Sequence, residues 1–261
     1  MLIGGIYFLV IFLACVIGAI VGLGGGVFIR PIFDTLGFHN ALNIQFFASV
    51  AILFMAVVST IKKTRDGTKI KTDVIITIAI GAIVGGAVGN IIVEHAISNL
   101  GDILFQKIQA IANILILLAS LFLTIKSKSH KNQNPKAISK QFCVIFGVLL
   151  GLICTFLSVG GGTISMPIFM MFFVLSVKQA TAYSIAIMLF SHLSRLVTMG
   201  FSQNYSYFDL TMLLFVIPAA VLGGLVGAKF SKIFSDDIVK KSFITVVSAV
   251  ILLNIVNLIV L

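Results

Sequence analysis

A chain of 261 residues that is 59% hydrophobic and only 10% charged is no soluble domain. Soluble domains carry about a quarter charged residues, and no compact fold of this size buries so much apolar side chain. A net charge of +10 would suggest nucleic acid in a soluble protein, but these cations sit in short segments between apolar runs, where the positive-inside rule accounts for them.

Long apolar runs occupy 3–21, 41–61, 73–95, 103–125, 141–159, 179–199, 209–230 and 238–261. Each is long enough to cross a bilayer. The expected fold is therefore all-α, a polytopic transmembrane helical bundle with eight long spans. No Lys or Arg precedes the first run, so it reads as a retained span rather than a cleavable leader. Two shorter apolar stretches, 27–38 and 164–176, each follow three glycines. The polar stretch 126–140 reads as a basic cytoplasmic linker between a first transmembrane repeat, 1–125, and a second, 141–261.

The two repeats share landmarks in the same order. Gly24, Gly25, Gly26, Pro31, Ile32 and Phe33 align with Gly160, Gly161, Gly162, Pro167, Ile168 and Phe169 at a shift of 136 residues. Asp73 and Asp209 match at the same shift, and Gly85, Gly86 and Gly89 match Gly223, Gly224 and Gly227 at a shift of 138. Charge bears on how the halves are oriented. If the short stretches turn back without crossing, fifteen loop cations divide ten to five between the two sides; if they cross, the halves are inverted and the division is fourteen to one. The positive-inside rule favours inverted repeats, with the N-terminus outside and the linker inside. A short helix of about 18 Å plus an extended segment of roughly 16 Å is long enough for the ~30 Å hydrocarbon core.

Three glycines followed by a proline cannot make an ordinary lipid-facing helix. Glycine costs about 1 kcal/mol in a helix interior, and irregular backbone at membrane depth is tolerated only when packed in protein or lining a wet cavity. The expected element is a span ending near the glycines, then a short broken-helix segment starting near the proline. Its free N–H groups and positive dipole end suit an anion, and matched broken helices point to a transporter's binding site. Close helix packing through small residues is the other reading.

The glycine and proline motifs resemble those of the TauE/SafE family of sulfite and organosulfonate exporters. The first copy is Gly22-Leu23-Gly24-Gly25-Gly26…Pro31; the second, Ser158-Val159-Gly160-Gly161-Gly162…Pro167, has Ser158 in place of glycine. Ala180-Thr181-Ala182-Tyr183-Ser184 is similar to the Ala-rich Thr-Ser segment that follows in that family, whereas the first half has Ala41-Leu42-Asn43-Ile44-Gln45 there. The resemblance covers the whole chain and implies export of a small anion. The wealth of Lys, Asn and Ile suggests an AT-rich bacterial genome, and so a bacterial inner membrane.

Candidate substrate-binding residues are Gly24, Gly25, Gly26, Arg30, Pro31, Asn43, Gln45, Ser49, Gly160, Gly161, Gly162, Thr163, Pro167, Thr181 and Ser184. Arg30 offers a guanidinium fork for an oxyanion; alternatively it snorkels to water or pairs with Asp34. His192 is a candidate proton relay, or an interhelical hydrogen-bonding histidine. Arg195, three residues on, reads as an anchor near the outer interface, and Glu94 and His95 read as interfacial. Gln109, Asn113, Asn254 and Asn257 read as helix contacts.

No metal or cofactor is expected. Cys15, Cys143 and Cys154 lack paired spacing, and HExxH, GxSxG, Walker A and CxxCH sequences are absent. The expected function is a secondary transporter (permease) for a small anion, with coupling to protons open, and not an enzyme. The rival readings are an anion channel, a non-transporting membrane scaffold and a cation transporter; few carboxylates in the spans argue against the last.

Overall fold

The computed structural model describes residues 2–68, 71–127, 139–157, 162–202 and 208–260. Among them the chain is a bundle of ten α-helices: α1 (Leu2–Val21), α2 (Gly26–Leu36), α3 (Ala41–Arg65), α4 (Thr72–Leu100), α5 (Asp102–Lys126), α6 (Lys140–Leu157), α7 (Gly162–Phe172), α8 (Val177–Ser202), α9 (Leu213–Ile233) and α10 (Asp236–Val260). Eight are long and apolar enough to cross a membrane. The other two, α2 and α7, have eleven residues each and occupy equivalent places in the two halves.

Local chemistry sets the helix ends. The Asn40 side chain accepts the Asn43 N–H at 2.9 Å and caps α3. Lys62, Lys63 and Arg65 lie in the last turn of that helix, where cations complement the dipole. Gly37, at φ 63°, stops α2 by donating its N–H to the Phe33 carbonyl. The short helices begin at Gly26 and Gly162, not near the prolines. Pro31 and Pro167 sit inside them, five residues from the start. A proline there lacks the N–H that would bond four residues back, which frees a carbonyl without ending the helix.

Small-residue faces bring helices of opposite halves together. A Cβ on Gly81 would strike Val144, one on Gly85 would strike Val148, and one on Gly89 would come within 2.9 Å of Thr155. So α4 runs beside α6 in the same direction. In the other half Gly223 meets Phe12 and Cys15, and Gly227 meets Val16 and Ala19, so α9 runs beside α1 in the same direction. The α3 helix also runs with α9, from Met55 against Gly224 to Lys63 against Ser231. Likewise α8 runs with α4, from Tyr183 against Lys71 to Ser191 against Gly86.

Two apolar cores result, and neither follows the sequence halves. One combines Tyr7, Ile11, Phe47, Met55, Met188 and Val216, from α1, α3, α8 and α9. The other combines Ile78, Leu117, Phe146, Phe169, Phe243 and Val247, from α4, α5, α6, α7 and α10. Large apolar side chains such as Leu9, Ile91, Leu115, Phe122, Ile145 and Leu252 face outward, which suits a lipid environment.

One end of the bundle collects lysines. There Lys62 and Lys232 meet Asp66, Lys178 donates to the Lys232 carbonyl, and Lys240 donates to the Ser127 carbonyl. At the opposite end His39 lies 3.6 Å from Asp209, and Tyr7 hydrogen-bonds His39 at 2.7 Å. We call these the basic end and the far end.

Candidate functional site

The first break in the bundle follows α1. Gly22 and Gly24 adopt φ values of 76° and 77°, in the left-handed region that side chains rarely occupy. The glycine strand folds back on its own helix, so that a Cβ on Gly18 would lie 2.7 Å from the Gly24 carbonyl carbon. A Cβ on Gly22 would lie 2.8 Å from the Thr181 Cα, and one on Gly162 would run into the Gly22 carbonyl. The breaks of the two halves therefore touch each other. Gly160 and Gly161 lie outside the described residues.

Hydroxyl groups line this crossing. Ser184 donates to the Gly22 carbonyl at 3.1 Å and shares a hydrogen bond with Ser165. Pro167 cannot bond the carbonyl of Thr163, and the Ser120 hydroxyl donates to that carbonyl instead. Thr163 and Thr181 are both buried.

Toward the far end lies a second, charged layer. Arg30 is buried, and its Nε donates to Asp34 Oδ2 at 3.3 Å, so it does not reach a water interface. Arg30, Pro31 and Asp34 line a cavity of about 10 Å³ with Gln106, Gln109, Asn113 and Asn254. That is room for about one water. Gln109 also donates to the Phe156 carbonyl, and Asn254 donates to the Val250 carbonyl at 2.8 Å. The side chain of Asn257 is outside the described residues.

Arg195 is fully buried and donates to the Gln45 side-chain carbonyl. It is not an interfacial anchor, because α8 carries it inward against α3. Arg30 and Glu94 act on it through their charges. Glu94 is not terminal either: α4 continues to Leu100, and Asn90 donates to the Glu94 carboxylate at 2.6 Å. His192 lies one turn before Arg195, and among the described residues neither ring nitrogen has a hydrogen-bond partner. It is therefore not an interhelical hydrogen-bonding histidine. Ser49 Oγ, Gln45 Nε2 and Thr155 Oγ1 are likewise buried without a partner among the described residues. Each such group costs about 1–3 kcal/mol unless something bonds it.

The structure thus brings together Arg30, Pro31, Gln45, Ser49, His192, Gly22–Gly26, Gly162, Thr163, Pro167, Thr181 and Ser184 in two adjoining polar layers. Asn43 is elsewhere. Its side chain accepts the Asp209 N–H at 3.1 Å at the far end.

A family profile described as Sulfite exporter TauE/SafE matches residues 7–253. The chain belongs to this family. A relative named as a probable membrane transporter protein, from Methanocaldococcus jannaschii, is 22% identical over 231 residues, which is 85% of this chain and 84% of that protein. No solved structure matches. As a TauE/SafE family member, the chain is a multi-pass membrane transporter.

Four residues of this region escaped the sequence reading or were misjudged by it. Arg195 and Glu94 read as span-end residues, because the apolar run shows neither that α4 continues to Leu100 nor that α8 turns Arg195 toward Gln45 of α3. Gln109 does bond another helix, whereas Asn254 bonds its own, and both line the cavity beside Arg30. Their alignment with Arg30 depends on α5 and α10 crossing α2, and no local pattern encodes that.

Proposed function

We propose that this protein is a secondary transporter of a small oxyanion, sulfite or a small organosulfonate. It would work by alternating access between two inverted halves in a bacterial inner membrane. The observation that carries the reading is the pair of buried arginines. Arg30 and Arg195, on α2 and α8, share a layer with buried amide, hydroxyl and imidazole groups that have no partner among the described residues. Buried cations beside spare donors favour a ligand with several acceptor oxygens, and a guanidinium fork fits sulfur oxyanions as it fits carboxylate or phosphate. His192 is the group we assign to proton coupling. Export is the direction the family description suggests.

The inverted reading is supported by helix directions. The helices α1, α3 and α9 run one way beside each other, and α4, α6 and α8 run together. Because α4 follows α3 across a short turn, the second set runs opposite to the first. The second half then starts from the membrane face at which the first half ends.

The test is uptake of radiolabelled sulfite by proteoliposomes, with and without an imposed pH gradient. Native protein should give saturable flux. Arg30→Gln and Arg195→Gln should each cut it by about tenfold or more, as expected for losing a hydrogen bond to a charged group. Non-saturable, gradient-independent current would replace the transporter with a channel. Absence of flux for sulfite and for methanesulfonate would sink the oxyanion reading.

A further inference from the structure

Lys63 stands apart from the other lysines. It lies in the last turn of α3 at the basic end, yet only 5% of its side chain is exposed. Its Nζ donates to Ser231 Oγ on α9 at 2.8 Å and to Thr181 Oγ1 on α8 at 3.3 Å. Both acceptors are neutral. Among the described residues no carboxylate forms an ion pair with it. The nearest in sequence, Asp66, is taken by Lys62 and Lys232. The charge that does act on Lys63 is that of Lys178, of the same sign. A buried ammonium without a counter-ion is costly, and proteins generally pair such groups.

The surroundings of Lys63 point inward. Thr181, which it contacts, packs against Gly22. The Gly22 carbonyl accepts from Ser184, and Ser184 bonds Ser165. Thr181 thus stands between the Lys63 ammonium and the place where the two helix breaks cross, its hydroxyl toward the lysine and its carbon atoms against Gly22. The arginine layer lies beyond that crossing, toward the far end.

We infer that Lys63, with Thr181 and Ser231, forms a second anion-binding station at the basic end, separate from the Arg30–Arg195 layer. Its ligand is a small oxyanion, whose oxygens would accept from the ammonium and the Ser231 hydroxyl, while the Thr181 hydroxyl, which donates to the Lys178 carbonyl at 2.8 Å, holds the ammonium in place. An ammonium is a point charge on a flexible stem and binds without the fixed fork of arginine. The station would therefore hold its ligand loosely, as suits release to or capture from the basic face. This inference rests on the transporter reading above.

The experiment uses the full-length protein in two formats. In detergent, sulfite and methanesulfonate are titrated against native, Lys63→Met and Lys63→Arg proteins, and the rise in melting temperature is recorded. In oriented proteoliposomes, the half-saturating sulfite concentration is measured from each face. Lys63→Met should raise half-saturation at the basic face by about tenfold and leave the far face within about twofold. Lys63→Arg should keep half-saturation near the native value at both faces. A merely structural lysine would change both faces alike or neither, and either result overturns the station. If Lys63→Met does not fold, Lys63→Arg and Ser231→Ala decide the question: native values at both faces for Ser231→Ala would also overturn it. Native protein with neither a melting shift nor flux would bring down the oxyanion transporter itself. Native flux with an unchanged Lys63→Met removes only the station.

Discussion

Asp66 follows the last turn of α3 and holds two cations, Lys232 of α9 at 3.0 Å and Lys62 of its own helix at 3.6 Å. The hydrogen bond from Lys232 is the main reason its carboxyl titrates below the ordinary carboxylate range; the charges of Lys232 and Lys62 add to it, and partial burial opposes it. A depressed carboxylate stabilises the fold at any pH above its unfolded value, about 3.9, and loses that contribution as pH falls through the folded value. The melting temperature of native protein minus that of Asp66→Asn should therefore be constant from pH 7 to 5 and shrink below about pH 4. A gap that already closes at pH 6 would mean that Asp66 is not held this way. The sequence could show Asp66 beside Lys62, but not that Lys232, 166 positions on, completes the pair. Lys63 is the sharper case. Inside the run Lys62, Lys63 and Arg65 it reads as one more loop cation, and only helix phase separates the buried member from its exposed neighbours.

Among the helices, α4 shows how small residues act. Gly81, Gly85 and Gly89 recur every four positions and form one face, and α6 lies so close to that face that a side chain at Gly85 would overlap the Val148 carbonyl. Gly5 on α1 has nothing within 4 Å of where its Cβ would stand. Gly85→Leu should therefore lower the melting temperature sharply, since overpacking costs about 1–3 kcal/mol or more. Gly5→Leu should melt close to native. Thermal unfolding in detergent separates the two; equal melting would show that the α4–α6 contact tolerates separation. The spans themselves were legible because uninterrupted apolar runs leave few alternatives. The glycine breaks were legible too, but their start was misplaced by five residues. Proline's preference for the first turn suggested a start near Pro31, whereas the packing of Gly25 on Cys15 and of Gly162 on Gly22 fixes the first turn earlier.

For the molecule as a whole, the proposed inverted topology puts the basic end inside the cell and the far end outside. All three native cysteines are buried, so single reporters can be read against a low background. In intact cells an impermeant maleimide should label Ser98→Cys, on the last turn of α4 at the far end, and leave Ser235→Cys, before α10 at the basic end, unlabelled until the membrane is opened. Labelling of both in intact cells would rule out that orientation. The order of shared landmarks is what suggests a duplication. The exchange of partners, α4 to α6 and α9 to α1, was not legible in the sequence, because periodicity reports which face of a helix is small or apolar and not which helix will cover it.

That exchange has a consequence for biosynthesis. The face of α1 that Gly223 and Gly227 will cover leaves the ribosome first, and its partner is translated about 200 residues later, a wait of roughly 10–40 s at common elongation rates. During that interval the nascent first half carries two faces shaped for helices that do not yet exist, one on α1 and one on α4. Neither half is a folding unit in its own right. A transcript cut before α6 would leave both glycine seams bare, and one cut between α6 and α9 would still leave the α1 seam uncovered.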